Sequence, residues 1–323
     1  MYLGKITTEI VIDGRKLNFL ESLRIDKDVN KLSDTATIVI PGARGSITLE
    51  VEQKIRRGMP ISIACGYEDE LLPELEGKVL SVRTDNRITL QVEDGMFALR
   101  VPTKNRVLKE VTANEVLGEI LSGAGLDLSI VPGKHTEAIR FDKFTLRNVT
   151  AFEALAKLKR QTGYNYYLRG KELHIQLKHL TDRPGKVVPL DFRYQVEKSN
   201  LKYIRADERI MEIEVIGIDR ENKRYPVRVG QSGGDKFTMY RYNVTDPGAL
   251  KAYGKEMLKR HQYTGFEGSI TGWLTPYYTV GDSLRLINPN YTDREGTYMA
   301  ERVLLEASRS GGRRSGFLGI KEA

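Results

Sequence analysis

The side chains that do most enzyme chemistry are few in this sequence, and their spacing does not suit it. The four histidines, His135, His174, His179 and His261, show no H-x-H or H-E-x-x-H spacing, so they form no metal-ligand pattern. His261 falls on a helical stripe and reads as packing; His174 and His179 flank a strand end and read as solvated. The single cysteine, Cys65, keeps phase with Ile61 and Ile63 on an alternating strand, as a small buried hydrophobe does. One cysteine also excludes an intramolecular disulfide framework. Asp26, Asp28 and Asn30 open "DKDVNKLSD" like a calcium loop. Lys31, however, stands where glycine must turn such a loop, and Thr37 where a bidentate glutamate is required. A polar loop between strands is the better reading. "GQSGGDK" is glycine-rich, but its lysine is not followed by Ser or Thr and it leads into a strand. It reads as a flexible inter-strand loop ordered, if at all, by a partner.

Paired carboxylates are the next possibility. Glu68, Asp69, Glu70, Glu74 and Glu76 crowd a turn containing Pro73. Glycoside hydrolysis needs two carboxyls held at fixed separation in a cleft, and this run reads instead as a solvated hairpin tip. No G-x-S-x-G or Cys–His signature is present. A Ser/His/Asp set drawn from distant positions would leave no local trace, so enzymatic activity stays open. For nucleic acid, Tyr164, Tyr166 and Tyr167 follow a stretch with Lys157, Lys159 and Arg160, and stacking beside basic groups can hold a single strand. Alternation sends Tyr164 and Tyr166 to one face, packing on the helix, and Tyr167 to the other. The net charge of +8 comes from 51 basic against 43 acidic residues interspersed along the chain, which reads as a mixed solvated surface. The "SGGRRSG" stretch is basic but short. The N-x-T triplets at Asn148, Asn243 and Asn290 carry no weight without a secretory route. No catalytic, cofactor-binding or metal residue is assigned, and the chain is expected not to be an enzyme.

The elements are more legible than any site. Residues 5–93 read as β structure: "IVIDGRKL" has an Asp13-Gly14 hairpin turn, and in "NRITLQVED" Ile88, Leu90 and Val92 alternate with polar neighbours. After Val101 the period becomes helical. Thr112 and Glu115 form a capping box before the stripe Ala113, Val116, Leu117, Ile120 and Leu121. The pattern recurs 38 residues later: Thr150 with Glu153, then Ala151, Ala154, Leu155 and Leu158, with Gly163 matching Gly125 as a left-handed stop. Arg169-Gly170 then turns between two strands. This is an internal duplication, or one strand–helix–strand problem solved twice. Two copies are too few for a solenoid and make one compact module. β character returns with "RIMEIEVIGI" and "DKFTMYRYNV". Asp246-Pro247 starts a helix over about 246–262, and "GFEGSITGWLT", "GDSLRLINP" and "GTYMAERVLLEAS" follow as strands. "RSGGRRSG" reads as a hairpin tip before a last short strand, "FLGI".

With 323 residues, 40% hydrophobic and 29% charged, the chain is an ordinary globular one of several domains. No apolar run approaches the roughly 20 residues of a membrane-spanning helix. "MYLGKITTEIVIDG" alternates like a strand and lacks a signal-peptide core, so the chain is expected to start at Met1 and to fold in the cytoplasm. The expected fold class is α+β, mainly β. Residues 1–100 form an N-terminal β-barrel domain. Residues 101–182 form the α/β module of two strand–helix–strand units. Residues 183–323 form a second β-barrel domain carrying the helix.

The wording of the strands adds a resemblance. "IVIDGRKLNFLESLRIDKDVNKLSDTATIVIPG", "GMPISIACGYEDELLPELEGKVLSV" and "ITLQVED" resemble the N-terminal barrel of phage baseplate hub proteins, the late control D group and related spike hubs of contractile injection systems. "YYTVGDSLRLINPNYTDREGTYMAERVLLEAS" resembles the end of the same proteins' second barrel, and the likeness runs from about Gly4 to Gly319. It implies a homotrimer whose six barrels form a ring adapting the sixfold tail tube to a threefold spike. The implied partners are the tube protein, a separate central spike protein and other baseplate proteins, with no membrane and no sequence-specific nucleic acid. The implied location is the virion tail baseplate, assembled in the host cytoplasm. The chain ends at Ala323 without the lysozyme domain or needle of some relatives, so a spike and any hydrolase are expected on other chains. A tail-associated peptidoglycan hydrolase using Glu74 or Glu76, and a single-strand nucleic-acid binder using Tyr164, Tyr166 and Arg160, are the alternatives.

Overall fold

The structure, a computed structural model, describes residues 4–41, 43–44, 47–48, 54–68, 70–131, 140–162, 164–169, 171–177, 186–219, 221, 223–242, 244–292 and 295–322. His135, His179, Asp69, Gly163, Gly170 and Asn243 lie outside them. The protein is mainly β, with three α-helices among the described residues.

The first third contains β1 (Ile6–Ile12), β2 (Arg15–Lys16), β3 (Ser22–Asp28), β4 (Thr35–Pro41), the two-residue strands β5 (Ala43–Arg44) and β6 (Ile47–Thr48), β7 (Pro60–Tyr67), β8 (Glu70–Thr84) and β9 (Arg87–Glu93). The expected hairpin forms: Asp13 and Gly14 have φ of 49° and 75°, the double left-handed turn that matches strand twist. Period-two patterning places Ile10 and Ile12, Leu23 and Ile25, Ala36, Ile38 and Ile40, and Ile88, Leu90 and Val92 in one core. Six strands line that core in the order β3–β4–β9–β8–β7–β1.

A 3-10 helix (Gly95–Leu99) leads into the α/β module: β10 (Arg106–Thr112), α1 (Ala113–Gly123), β11 (Ser129–Val131), β12 (Arg140–Leu146), α2 (Ala151–Thr162), β13 (Tyr164–Arg169) and β14 (Glu172–Leu177). Both capping boxes form, with nearly equal geometry. Thr112 N donates to Glu115 Oε2 at 2.7 Å and Glu115 N to Thr112 Oγ1 at 3.2 Å. The second copy gives 2.8 Å and 3.2 Å for Thr150 and Glu153. Gly125 takes the left-handed φ of 67° that stops α1. The two predicted helical stripes meet in a single core with Tyr164 and Tyr166. The leading strands of the two copies, β10 and β12, pair antiparallel.

The last third contains β15 (Val187–Asp191), β16 (Val196–Ile204), β17 (Met211–Ile218), β18 (Arg224–Gly230), β19 (Asp235–Tyr242), α3 (Pro247–His261), β20 (Gly265–Gly272), β21 (Ser283–Ile287), β22 (Gly296–Ser308) and β23 (Gly311–Lys321). It holds two cores. One lies among β16, β20, β23, β22, β21 and β15, six strands again. In the other, α3 packs on the separate sheet β18–β17–β19 through Leu250, Ile213, Val215 and Val229. Gly254 is needed on α3, because a Cβ there would come within 2.5 Å of Val229 Cγ2.

The β regions of the first and last thirds are one hydrogen-bonded sheet. β22 pairs with β23 along one edge and is long enough to serve two further neighbours along the other. Its first part pairs with β21, from Gly296↔Leu286 to Met299↔Ser283, and its second with β3, from Arg302↔Asp28 to Ser308↔Ser22. Leu305 and Ala307 of β22 consequently enter the core of the first third. The path from β16 to β2 does not close on itself among the described residues.

Candidate functional site

Several residues weighed for chemistry turn out to hold the fold. Cys65 is buried in the first core, and burial pushes its thiol up to about 12, so it carries no thiolate at neutral pH. Tyr164 and Tyr166 are buried. Tyr167, on the other face, stacks on His174 at 5.1 Å between ring centroids. Lys157 donates to Thr145 O and lies over the Phe144 ring. The stacking platform for a single strand is thus turned inward. His174 lies within β14 rather than at a solvated end, with Nε2 3.1 Å from Glu172 Oε2. The ring of His261 lies 5.3 Å from that of Phe237. The "GQSGGDK" loop is ordered by its own chain: Gln231 N donates to Met211 O, and Asp235 N to Ile210 O.

Two readings need larger correction. The acidic run is a solvated tip only in part: Glu68 and Glu70 are exposed where β7 turns into β8, and Glu76 is exposed further along β8, but Glu74 is not. Pro73 sits inside β8, tolerated where the β7–β8 register slips between Ile63 and Ala64, and the Glu74 side chain is fully buried. The hairpin tip expected at "RSGGRRSG" is confined to Arg309 and Ser310, since β23 is not short: it begins at Gly311 and runs to Lys321. Alternation along β23 sends Arg313 out to Glu197, in contact with the Trp273 ring, and Arg314 inward to Glu74. Arg314 also donates to Leu274 O (3.1 Å) and Tyr278 O (3.0 Å) and stacks on Tyr277. Lys27 Nζ lies 3.8 Å from the same Glu74 and donates to Thr279 Oγ1. Burial lowers the Lys27 pKa, against the pull of Glu74.

The calcium-like loop is the centre of this junction. Asp26 accepts from Arg302 Nε and Nη2, both at 2.8 Å, and from Lys31 Nζ. Val29 N donates to Glu301 O and Asn30 Nδ2 to Glu301 Oε1, tying the loop to β22. Lys159 Nζ of α2 donates to Lys31 O, and Leu32 packs against the module's core. Asp34 N donates to Asp94 Oδ2 at 3.1 Å, and Asp94 N returns a bond to Asp34 O at 3.0 Å. Asp94 Oδ1 meanwhile accepts from Met96 N and caps the 3-10 helix. Glu93, buried, accepts from Arg100 at 2.5 and 2.8 Å, and Arg100 lies over the Phe152 ring of α2. One short loop thus joins the first β region, the last β region and the module.

A cavity of about 650 Å³ opens beside this junction, with Lys27, Asp34, Glu74 and Asp94 on its wall. The carboxylates named there are engaged: Glu74 by Arg314 and Lys27, Asp34 by Asp28 N, Asp94 by Asp34 N and Met96 N. Among the described residues no group of three or more His, Cys, Asp or Glu could hold a metal ion. The arrangement fixes three parts of the chain relative to one another. Sequence reasoning missed it because each partner is distant in the chain and each side chain, read locally, is an ordinary polar residue.

No protein-family model matches the sequence, and no curated protein does. Solved structures do match in fold. A tail protein from Neisseria meningitidis MC58 is 15% identical, with a TM-score of 0.64 over 98% of this chain and 96% of that one. The 43 kDa tail protein of prophage MuSo2 from Shewanella oneidensis is 14% identical, with a TM-score of 0.62 over 98% of both chains. An E. coli component of the type VI secretion system, described as structurally similar to T4 bacteriophage tail proteins gp27 and gp5, is 11% identical. It gives a TM-score of 0.55 over 97% of this chain and 77% of that one. The chain therefore has the fold of phage tail and type VI secretion proteins.

Proposed function

We propose that this chain is a structural baseplate hub of a phage tail or phage-like contractile particle. The observation that carries the proposal is the match in fold to two tail proteins over nearly the whole chain. On this reading residues 1–100 and 183–323 are two related barrel domains with the module at 101–182 between them. Two separate hydrophobic cores, one built mostly from residues 1–100 and the other from residues 183–323, support that division. Three copies then bring six barrels around a closed axis, the symmetry needed to join a sixfold tube to a threefold spike. The partners are a tube protein, a separate central spike and other baseplate proteins, and the place is the virion tail baseplate, after assembly in the host cytoplasm. The protein acts through extended surfaces rather than a catalytic centre, in keeping with a junction whose charged groups are engaged with one another.

The test is the mass of the purified protein alone and with its cognate tube and spike proteins, together with images of the assembly. A trimer forming a threefold ring with a central channel is expected. A protein that stays monomeric at micromolar concentration and binds neither component overturns the proposal.

A further inference from the structure

The small sheet under α3 has two outer edges of opposite character. It runs β18–β17–β19, and among the described residues no strand pairs with the far side of β18 or of β19. The β18 edge is blunted, because Pro226 interrupts its N–H donors and Arg224 and Arg228 flank it. The β19 edge is not. Its run Phe237-Thr238-Met239-Tyr240 has no proline and favours pairing, and Phe237 and Tyr240 are 39% and 49% exposed. Asp235 N donates inward to Ile210 O, so strand parity turns the backbone groups of Lys236, Thr238 and Tyr240 outward. Tyr240 O indeed accepts only from the guanidinium of Arg241, at 3.1 Å.

The charges on this strand are also unanswered. Asp235 is exposed, and among the described residues no cation binds it. Arg241 lies 5.1 Å over the Tyr253 ring, and the ionisable groups that face it are the phenols of Tyr253 and Tyr164. By contrast Arg100, Arg302, Arg313 and Arg314 each hold a carboxylate. We propose that the outer edge of β19 pairs antiparallel with the same edge of a second copy of this chain, across a twofold axis at Thr238. The edge is complementary to itself in that register. Lys236 faces the partner's Tyr240 and Thr238 faces the partner's Thr238, each pair exchanging two N–H···O bonds between outward groups. In the wide pairs between them, where side chains come closest, Asp235 faces the partner's Arg241 and Phe237 the partner's Met239. Each Arg241 gains the acid it lacks, and the three-stranded sheet becomes one of six strands with no unblunted edge.

One strand edge is a small interface, so the pairing is weak and shows at high protein concentration. On the reading proposed above, two rings join and three copies become six. If that reading fails, one copy becomes two, so the starting mass tells the two failures apart. The test is sedimentation of the whole protein, 36.6 kDa per chain, from about 1 µM to about 300 µM, where a contact this small is populated. The mass is expected to double. Asp235→Arg and Arg241→Asp should each weaken pairing at least about tenfold, and the two together should restore it. Thr238→Cys, oxidised with diamide, should give a reducible linked pair, and Arg224→Cys on the β18 edge should not; the native Cys65 is buried. No doubling, no linked pair from Thr238→Cys, or a double swap that stays unpaired overturns the proposal. Should the swap not fold, Thr238→Pro decides. It removes one outward N–H and leaves the ladder to β17 intact, so a mass that no longer doubles supports the pairing, and one that still doubles overturns it.

Discussion

Arg314 and Glu74, 240 positions apart in the chain, meet with side chains 1% and 0% exposed between the two β regions. Both side chains are shut off from bulk solvent, so each supplies the other's counter-charge. Glu74 also serves Lys27 at 3.8 Å. Losing Glu74 strands two cations, whereas losing Arg314 leaves Glu74 with Lys27. Glu74→Gln is therefore expected to cost more than Arg314→Met, both in the range of about 3–5 kcal/mol. The triple variant Glu74→Leu with Arg314→Met and Lys27→Met should recover much of the loss, because well-packed apolar groups need no counter-ion. Urea unfolding of the three variants checks this. A Glu74→Gln cost under about 1 kcal/mol would show that the pair is not what joins the regions.

The two capping boxes are geometric copies, with N–H to carboxylate distances of 2.7 and 2.8 Å. Their helices share one core. Thr112→Ala and Thr150→Ala are expected to cost about 1 kcal/mol each. The two losses should be nearly equal, measured by the same unfolding experiment. A loss confined to one of them would mean that the second helix is held by packing alone.

The helices, the β1–β2 hairpin and strands such as β9 were legible in the sequence because their signals are local: a Thr and a Glu three apart, an Asp-Gly turn, alternation at period two. Tyr164 and Tyr166 were legible for the same reason, since strand parity alone assigns their face. The junction was not. Glu74 follows a proline in an acidic run, and only the register slip between Ile63 and Ala64 turns it inward. Arg314 follows Arg313, and nothing in that doublet tells which one faces Glu74 without the register of β23 against β22. The separate sheet under α3 was hidden because β17 pairs parallel with β19 and antiparallel with β18, an arrangement set by long-range contact.

Asp26 gives the junction an acid limit of its own. Burial acts to raise its pKa, but hydrogen bonds from Arg302 and Lys31 outweigh it, and the carboxyl ends below its ordinary value of 3.8. A depressed folded pKa contributes stability that is present above the unfolded value and lost as pH falls through the folded one. The wild type should therefore lose stability below about pH 4 more steeply than Asp26→Asn, which has already lost the charge. Unfolding midpoints between pH 5 and 2.5 test this. Parallel curves would mean that Arg302 and Lys31 do not hold the carboxylate in solution.

The seven-pair ladder between β3 and β22 makes a prediction about cooperativity. Leu305 of β22 lies opposite Ile25 and is buried in the first core; Val303, two residues earlier, is buried in the last. Leu305→Ala removes atoms that cannot be replaced by water and should cost about 2–5 kcal/mol. The strand carrying both residues is hydrogen-bonded on each side. Strain or loss at one core is therefore felt by the backbone of the other. Leu305→Ala and Val303→Ala are expected to lower the same thermal transition in calorimetry rather than two separate ones. If Leu305→Ala moves one transition and Val303→Ala another, the two β regions unfold independently, and the shared strand is a tether rather than a coupling.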